Sequence, residues 1–226
     1  MASVNFEDQV RIPLGLMALD DFRRWSHASD FPPNGRIDFV GDDIEVDMSP
    51  EDLFAHGTLK GKIYSTLLEI VEQRDLGHLF TDSTRICNAT AAISAEPDIL
   101  FISHESLDTD RVSLVPKASG EPDRFVEIEG SPDLIIEIVS DSSFQKDRQR
   151  LWKAYFQAGV TEYWIVDARQ DPLWFQLNQA GDSEFEPVVD DKDGFLASGV
   201  FGCRFRIDRN RSPRGYWRYD VRRLAK

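Results

Sequence analysis

Cysteine is scarce in this sequence, and long apolar runs are missing. The two cysteines, Cys87 and Cys203, lie far apart and form no CxxC pair, which excludes zinc binding through a cysteine cluster. No apolar stretch approaches the roughly 20 residues that a membrane helix needs, and residues 1–16 lack the basic and apolar regions of a secretory signal. We therefore expect reduced thiols in a cytoplasmic protein that has no membrane partner.

The sequence also lacks the common motifs of nucleotide binding and hydrolysis. The patterns GxGxxG, GxSxG, HExxH and GxxxxGK followed by Ser or Thr do not occur, so phosphate-cradling loops, hydrolase elbows and zincin sites are not supported. The four histidines show no metal-ligand spacing in the sequence; they are His27, His56, His78 and His104. The carboxylates are therefore the remaining candidates for a catalytic or metal-binding site.

The charge of the chain is strongly negative but unevenly distributed. The net charge of −14 opposes binding to nucleic acid, which is itself a polyanion. Residues 201–226, however, contain eight arginines and one lysine against two aspartates, a local net charge of +7. These arginines either contact phosphates or only solvate a C-terminal hairpin, and composition leaves both interpretations open.

The pattern of residues 133–167 is that of a strand, a helix and a second strand. Residues 134–139 form a short apolar run that contains one carboxylate, Glu137, and their length and β-branched content predict a buried strand. One of the serines at 140–143 suits the N-cap of a helix. The helix has one broad apolar face, formed by Leu151, Trp152, Tyr155 and Phe156. Residues 162–166 then form the second strand, so the unit predicts a sheet with a crossover helix on its face.

The remaining pattern predicts a mixed α/β chain of the α+β type that ends in antiparallel β structure. Helices are expected at 14–28 and 52–73, and strands at 36–48 (as a hairpin), 78–81, 85–91, 99–102, 124–128, 173–177, 185–189 and 203–207. We find no internal repeat and no linker long enough to separate two domains. We therefore expect one domain over 1–226, with a core at about 36–168 and a C-terminal β extension at about 172–226.

Two of the predicted buried strands carry an acid. Asp98 stands at the start of the strand at 99–102, and Glu137 lies inside the strand at 134–139. A buried carboxylate is costly unless it is paired, protonated or bound to a metal. Two carboxylates on adjacent strands would suit Mg²⁺ or Mn²⁺, which prefer oxygen ligands. An acid at a strand end that merely caps the next turn, or two acids that are paired inside the sheet, would explain the same pattern.

Four blocks occur in a characteristic order along the chain. They are Met48-Ser49-Pro50 followed by His56, then Glu96-Pro97-Asp98 before an apolar strand, then PDLIIEIVS at 132–140, and then D-x7-Y-x3-GV-x-EYWIVD from Asp147 to Asp167. This combined order resembles the Uma-type restriction-endonuclease family over about residues 15–180. The resemblance implies a restriction-endonuclease-like PD-(D/E)XK fold, which is a mixed sheet flanked by helices, and hydrolysis of phosphodiesters with a divalent metal.

The resemblance also implies roles for individual residues. Asp98 matches the acid of the PD element and Glu137 matches the acid of the ExK element, so these two would ligate Mg²⁺ or Mn²⁺. His56 matches a histidine that the family places on the helix after the MSP block, and it would assist catalysis.

The lysine that the family pattern requires is absent from its expected positions. Val139 stands where the ExK element has lysine, and Leu151 stands four residues after Asp147, where family members commonly carry one. Lys146 and Lys153 are the nearby candidates for the catalytic lysine. Either one of them substitutes from a different direction, or catalysis is weakened or lost.

The resulting hypothesis is a metal-dependent DNA endonuclease with Asp98, Glu137, His56 and either Lys146 or Lys153 at its site. Double-stranded DNA is the expected partner, and the two-fold symmetry of the duplex favours a homodimer. The alternative is a catalytically inactive nuclease fold that binds nucleic acid or protein. Leu151 and the negative net charge favour that alternative.

Overall fold

The structure is a computed structural model that describes residues 3–6, 10–33, 35–141 and 149–225. Its helices are α1 (Leu19–Ser26), α2 (Leu59–Arg74), α3 (His104–Asp108) and α4 (Leu151–Gln157), and a π-helical segment, Leu53–Thr58, precedes α2. The strands are β1 (Ser3–Phe6), β2 (Val10–Pro13), β3 (Arg36–Val40), β4 (Asp43–Asp47), β5 (Gly77–Thr81), β6 (Arg85–Asn88), β7 (Ile93–Ala95), β8 (Ile99–Ser103), β9 (Val112–Pro116), β10 (Phe125–Gly130), β11 (Leu134–Ile138), β12 (Glu162–Asp167), β13 (Trp174–Ala180), β14 (Phe185–Pro187), β15 (Leu196–Ser198), β16 (Cys203–Arg211) and β17 (Trp217–Ala225).

Most strands belong to two six-stranded mixed sheets. The first has the order β4-β3-β7-β6-β10-β9, and the second has the order β14-β13-β12-β11-β8-β5. In the second sheet, β11 runs parallel to β12 and antiparallel to β8. The predicted strand–helix–strand unit is confirmed, because a parallel pair needs a crossover and α4 lies within that crossover. Of the serines predicted as helix N-cap, Ser140 precedes a turn at Asp141 and is not helical, whereas positions 142 and 143 lie outside the described ranges.

The central strands of the second sheet, β8, β11 and β12, are buried on both faces because most of their residues are apolar. Ile136 of β11 packs with α2, whose apolar stripe includes Ile63 and Leu67. Ile135, which points to the opposite face, packs with α4 through Tyr155. Successive residues of a strand alternate between faces, so one uninterrupted apolar run supplies both layers of the core.

The C-terminal residues form a three-stranded antiparallel sheet, β15-β16-β17, which confirms the predicted β extension. Phe205 and Val221 of this sheet join the core on the α2 side. Glu162 of β12 fixes the sheet in place, since its buried carboxylate accepts hydrogen bonds from Ser198 Oγ at 2.7 Å and Gly199 N at 2.8 Å. Burial raises the pKa of Glu162 above its usual value.

Several short elements have no counterpart in the sequence prediction, namely β1, β2, β7, β9, β15 and α3. Each is three to five residues long, and periodicity cannot be judged over so few positions. The first turns of the helix predicted from residue 52 are π-helical.

Within the described ranges, no helix combines the length and apolar character needed to cross a membrane.

Candidate metal centre

Asp98 is held at the point where β8 begins, beside the end of β11. Its side chain is buried, and Oδ2 accepts a 2.7 Å hydrogen bond from the backbone N–H of Ile138. Its carbonyl oxygen accepts a hydrogen bond from Thr81 Oγ1 of β5 at 3.0 Å. Three neighbouring strands of the second sheet therefore fix the position of this carboxylate.

His56 approaches Asp98 from the π-helical segment. Asp52 caps that segment by accepting hydrogen bonds from Phe54 N and Ala55 N at 2.8 and 2.6 Å. The buried imidazole places Nε2 3.3 Å from Asp98 Oδ2. Its Nδ1 lies 3.1 Å from Glu51 Oε2 but has no partner in hydrogen-bond geometry among the described residues. One ring nitrogen is thus engaged by Asp98, and the other lies near the Glu51 carboxylate without a hydrogen bond to it.

Lys60 is the basic residue that the sequence reasoning missed. It lies one turn after His56 on α2, and its Nζ contacts Asp82 Oδ1 at 2.6 Å, Glu51 Oε1 at 2.9 Å and Asp98 Oδ1 at 3.6 Å. The spacing of four residues from His56 was the available signal, because residues i and i+4 share one face of a helix.

The charges of this group reinforce one another. Burial acts to raise the pKa of Asp98, but the hydrogen bond and charge of His56, together with Arg36 and Lys60, lower it to about 2. Burial acts to lower the pKa values of His56 and Lys60, and the carboxylates, above all Asp98, outweigh that effect and raise both. Asp98 is therefore ionised at neutral pH, and Lys60 is charged.

Glu137, the second predicted ligand, is paired inside the sheet. It is fully buried, and its two oxygens lie 3.0 and 3.2 Å from Nη2 of Arg36. Tyr155 of α4 donates a 2.7 Å hydrogen bond to Oε1. Burial and the charge of Glu137 raise the pKa of Tyr155 well above its usual value, so the phenol remains a donor. Glu137 therefore fits the alternative in which a buried acid is paired with other groups of the protein.

The structure also shows where the candidate lysines lie. Leu151 is buried on the face of α4 that carries Tyr155, whereas Lys153 is exposed. Lys146 lies outside the described residues. Among the described residues, Arg36 and Lys60 are the cations that the fold brings to the two acids, and neither comes from α4. The roles predicted for Lys146 and Lys153 stay predictions.

The described residues contain one group that could hold a metal ion, made up of Glu51, His56 and Asp98. Their ligand atoms lie within 4.8 Å of one another. Two carboxylates and an imidazole with an unsatisfied nitrogen fit a divalent cation such as Mn²⁺ or Mg²⁺. The group opens onto a cavity of about 260 Å³ that Arg36 also lines. The fold thus brings Asp98 and His56 together with Glu51, and the metal-binding role predicted for Glu137 stays a prediction.

Comparison with known proteins agrees with this fold. A structure described as "a putative nuclease belonging to DUF820", from Anabaena variabilis, is similar to this chain with a TM-score of 0.59 and 17% sequence identity, over 81% of this chain and 90% of the other. This likeness shows that the two chains share a fold. The sequence matches the Uma2 family, described as "Putative restriction endonuclease", over residues 19–210, and the chain belongs to that family. No curated protein matches the chain.

Proposed function

We propose that this protein is a metal-dependent endonuclease that hydrolyses phosphodiester bonds in duplex DNA. The observation that carries the proposal is the grouping of Glu51, His56 and Asp98 within 4.8 Å at a cavity of the second sheet. The chain belongs to a family described as "Putative restriction endonuclease", and this membership supports the same class of reaction.

In this proposal the cation is held by Asp98, Glu51 and Nδ1 of His56. A divalent cation in that position supplies a Lewis acid for the phosphoryl oxygen and lowers the pKa of a bound water. The contact of 3.3 Å between His56 Nε2 and Asp98 Oδ2 orients the imidazole within the site.

Lys60 and Arg36 supply positive charge for the phosphate in this proposal. Lys60 lies beside Asp98 with its ammonium among three carboxylates, so it can exchange one of these contacts for a phosphate oxygen. Arg36 lines the same cavity while its guanidinium remains bound to Glu137. Fixed cations near a phosphodiester stabilise the negative charge that develops during its hydrolysis. Lys60 thus takes the role that the family pattern gives to a lysine at position 151.

Calorimetric titration of Mn²⁺ into the wild type and the His56→Ala and Asp98→Asn variants tests the proposal. We expect binding in the micromolar to millimolar range that disappears in both variants, and cleavage of plasmid or oligonucleotide duplexes that follows metal binding. Glu72→Gln is the matched control, because Glu72 is exposed on α2 away from the site. A wild-type protein that binds neither Mn²⁺ nor Mg²⁺ would refute the metal centre.

One observation favours the alternative of a catalytically silent binding module. Glu137 is already neutralised by Arg36 and Tyr155, so it is not presented as a bare ligand. The silent fold predicts that DNA binding survives the His56→Ala and Asp98→Asn changes and that no divalent cation produces cleavage. A homodimer remains part of the endonuclease proposal, and sedimentation in the presence of a duplex would test it.

A further inference from the structure

The turn between β16 and β17 is the part of the C-terminal sheet where positive charge is left uncompensated. Residues 210–218, here called the hairpin tip, contain Arg211, Arg214 and Arg218 and no acidic residue, in a chain of net charge −14. All three side chains are exposed. Across the described ranges, neither Arg214 nor Arg218 forms an ion pair or a hydrogen bond through its side chain.

The other arginines of this sheet are mostly engaged. Arg204 lies 2.7 Å from Asp191 Oδ2, Arg222 lies 2.9 Å from Asp208 Oδ2, and Arg223 reaches Glu69 of α2 at 2.9 Å. These arginines pair with acids on the protein's own surface. Of the two interpretations that the sequence left open, this agrees with arginines that only solvate the hairpin. The hairpin tip is different, since its charges have no such partners.

The hairpin tip is a rigid structure. The backbone N–H of Ser212 donates to the carbonyl of Tyr216 at 2.8 Å, and Ser212 Oγ accepts from Tyr216 N at 3.1 Å. Gly215 has a φ of +85°, a conformation that glycine adopts without strain, and its carbonyl accepts a 2.8 Å hydrogen bond from Arg211. A preorganised tip loses little conformational entropy when it binds a ligand.

The tip is attached to the segment that carries the candidate metal centre. Tyr216 stacks on Phe54 with ring centroids 5.2 Å apart and planes 10° from parallel, and Phe54 lies two residues before His56. A second cavity, of about 680 Å³, adjoins both the hairpin tip and the metal centre. Its lining includes Trp217 of the tip, His56 of the centre, and Arg169. A strand that enters the metal centre through this cavity would pass the hairpin tip.

We propose that the hairpin tip binds the phosphates of duplex DNA and guides the duplex to the metal centre; this inference rests on the proposed function. The residues around the centre are acidic, with Glu51, Asp82 and Asp98 all near Lys60, and would repel a polyanion. Arginine guanidinium groups pair well with phosphate oxygens, and such contacts supply most of the non-specific affinity for DNA. The tip adds this attraction beside a site where carboxylates outnumber the two cations, Lys60 and Arg36.

Fluorescence anisotropy with a labelled 20-base-pair duplex tests the inference. It compares the full-length wild type with Arg214→Gln/Arg218→Gln and with the control Arg24→Gln/Arg124→Gln, which removes the same charge from exposed arginines elsewhere. All are measured with EDTA, so that no cleavage occurs. We expect the tip variant to bind at least about tenfold more weakly at low salt, with a slope of log affinity against log salt that is smaller by about two. The control should match the wild type.

Three outcomes would overturn the inference. They are equal duplex binding by the tip variant and the wild type, an equal loss in the control variant, and wild-type binding to single strands or RNA without binding to the duplex. Duplex binding that depends on the tip but is never followed by cleavage would refute the proposed hydrolysis and leave the inference standing. Metal-dependent cleavage that the tip variant retains in full would refute the inference and leave the proposed hydrolysis standing.

Discussion

The guanidinium of Arg36 lies 3.0 Å from Oε1 of Glu137, and this contact joins the two six-stranded sheets. Arg36 begins β3 of the first sheet, whereas Glu137 lies in the centre of β11 in the second. Burial lowers the pKa of Arg36, but the charges of Glu137, Asp38 and Asp98 raise it well above its usual value. The pair therefore stays charged, and the sheets are linked at the edge of the candidate metal centre.

Removal of this cation should destabilise the fold strongly. In Arg36→Met, the fully buried Glu137 would lose the guanidinium that lies 3.0 Å from its Oε1 and keep the hydrogen bond from Tyr155. Breaking a buried ion pair from one side costs about 3–5 kcal/mol, so we expect a loss near the lower end of that range in the free energy of unfolding. Urea denaturation measures it.

Two further variants make this stability experiment decisive. Arg24→Met is the control, because Arg24 is exposed and pairs only with Asp21 on the surface of α1, where ion pairs contribute little. The double variant Arg36→Met/Glu137→Gln should recover part of the loss, since it also removes the buried negative charge that Arg36 pairs with. An Arg36→Met protein as stable as Arg24→Met would show that the pair does not hold the sheets together.

Glu51 should contribute to metal affinity without contributing to the fold. Its side chain is 53% exposed, so Glu51→Gln should leave the thermal unfolding midpoint in EDTA unchanged. Loss of one carboxylate near the cation should weaken Mn²⁺ binding by about tenfold or more. Calorimetry compares this variant with Glu72→Gln. If the two variants bind Mn²⁺ equally well, Glu51 is not a ligand.

Lys60 should matter for turnover more than for metal binding. We expect Lys60→Met to retain Mn²⁺ binding while kcat for duplex cleavage falls by about 10²–10³, the usual loss for one group that stabilises transition-state charge. Lys60→Arg should restore part of the activity because it restores the charge. Lys62→Met is the control, since Lys62 is exposed two positions further along α2.

The kinetics of Lys60→Met also separate catalysis from structure. A variant that loses Mn²⁺ binding together with activity would show that Lys60 only holds Glu51 and Asp98 in place. A variant that cleaves at the wild-type rate would remove Lys60 from the mechanism.

Cys87 should be unreactive in the native protein. Burial, and then the charge of Glu127, raise the pKa of its thiol to about 12, and it is 1% exposed. At pH 8 only about one thiol in 10⁴ would then be ionised, and the thiolate is the reactive form. Ellman's reagent on a Cys203→Ser variant should give no reaction under native conditions and one equivalent in guanidinium. Rapid reaction of the folded variant would contradict the burial of Cys87.

The order of the core elements followed from the sequence because local periodicity encodes it. The apolar run around Glu137 and the stripe of α2 specified a buried strand and a packing helix, and both are present. The pattern also identified Asp98 and His56, which the fold brings within 3.3 Å of each other. Both residues stand in recognisable blocks, so neither needed knowledge of distant contacts.

Arg36 could not be found in this way, and for Lys60 only its position four residues after His56 offered a local signal. Arg36 is 101 positions from Glu137 and lies in a different sheet, and Lys60 is 38 positions from Asp98. Glu51 stands in a loop whose sequence has no period. Pairing over such separations depends on how the two sheets and α2 pack, and no local pattern records it.

The sequence by itself determined the elements, the family and the two acids, because hydrophobic period and short motifs are local properties of the chain. Only the tertiary structure decided which partners those acids have. Asp98 meets His56 and Lys60, and Glu137 meets Arg36 and Tyr155. The physical reason is that a buried charge must be compensated, and the compensating group comes from whichever element packing brings within reach.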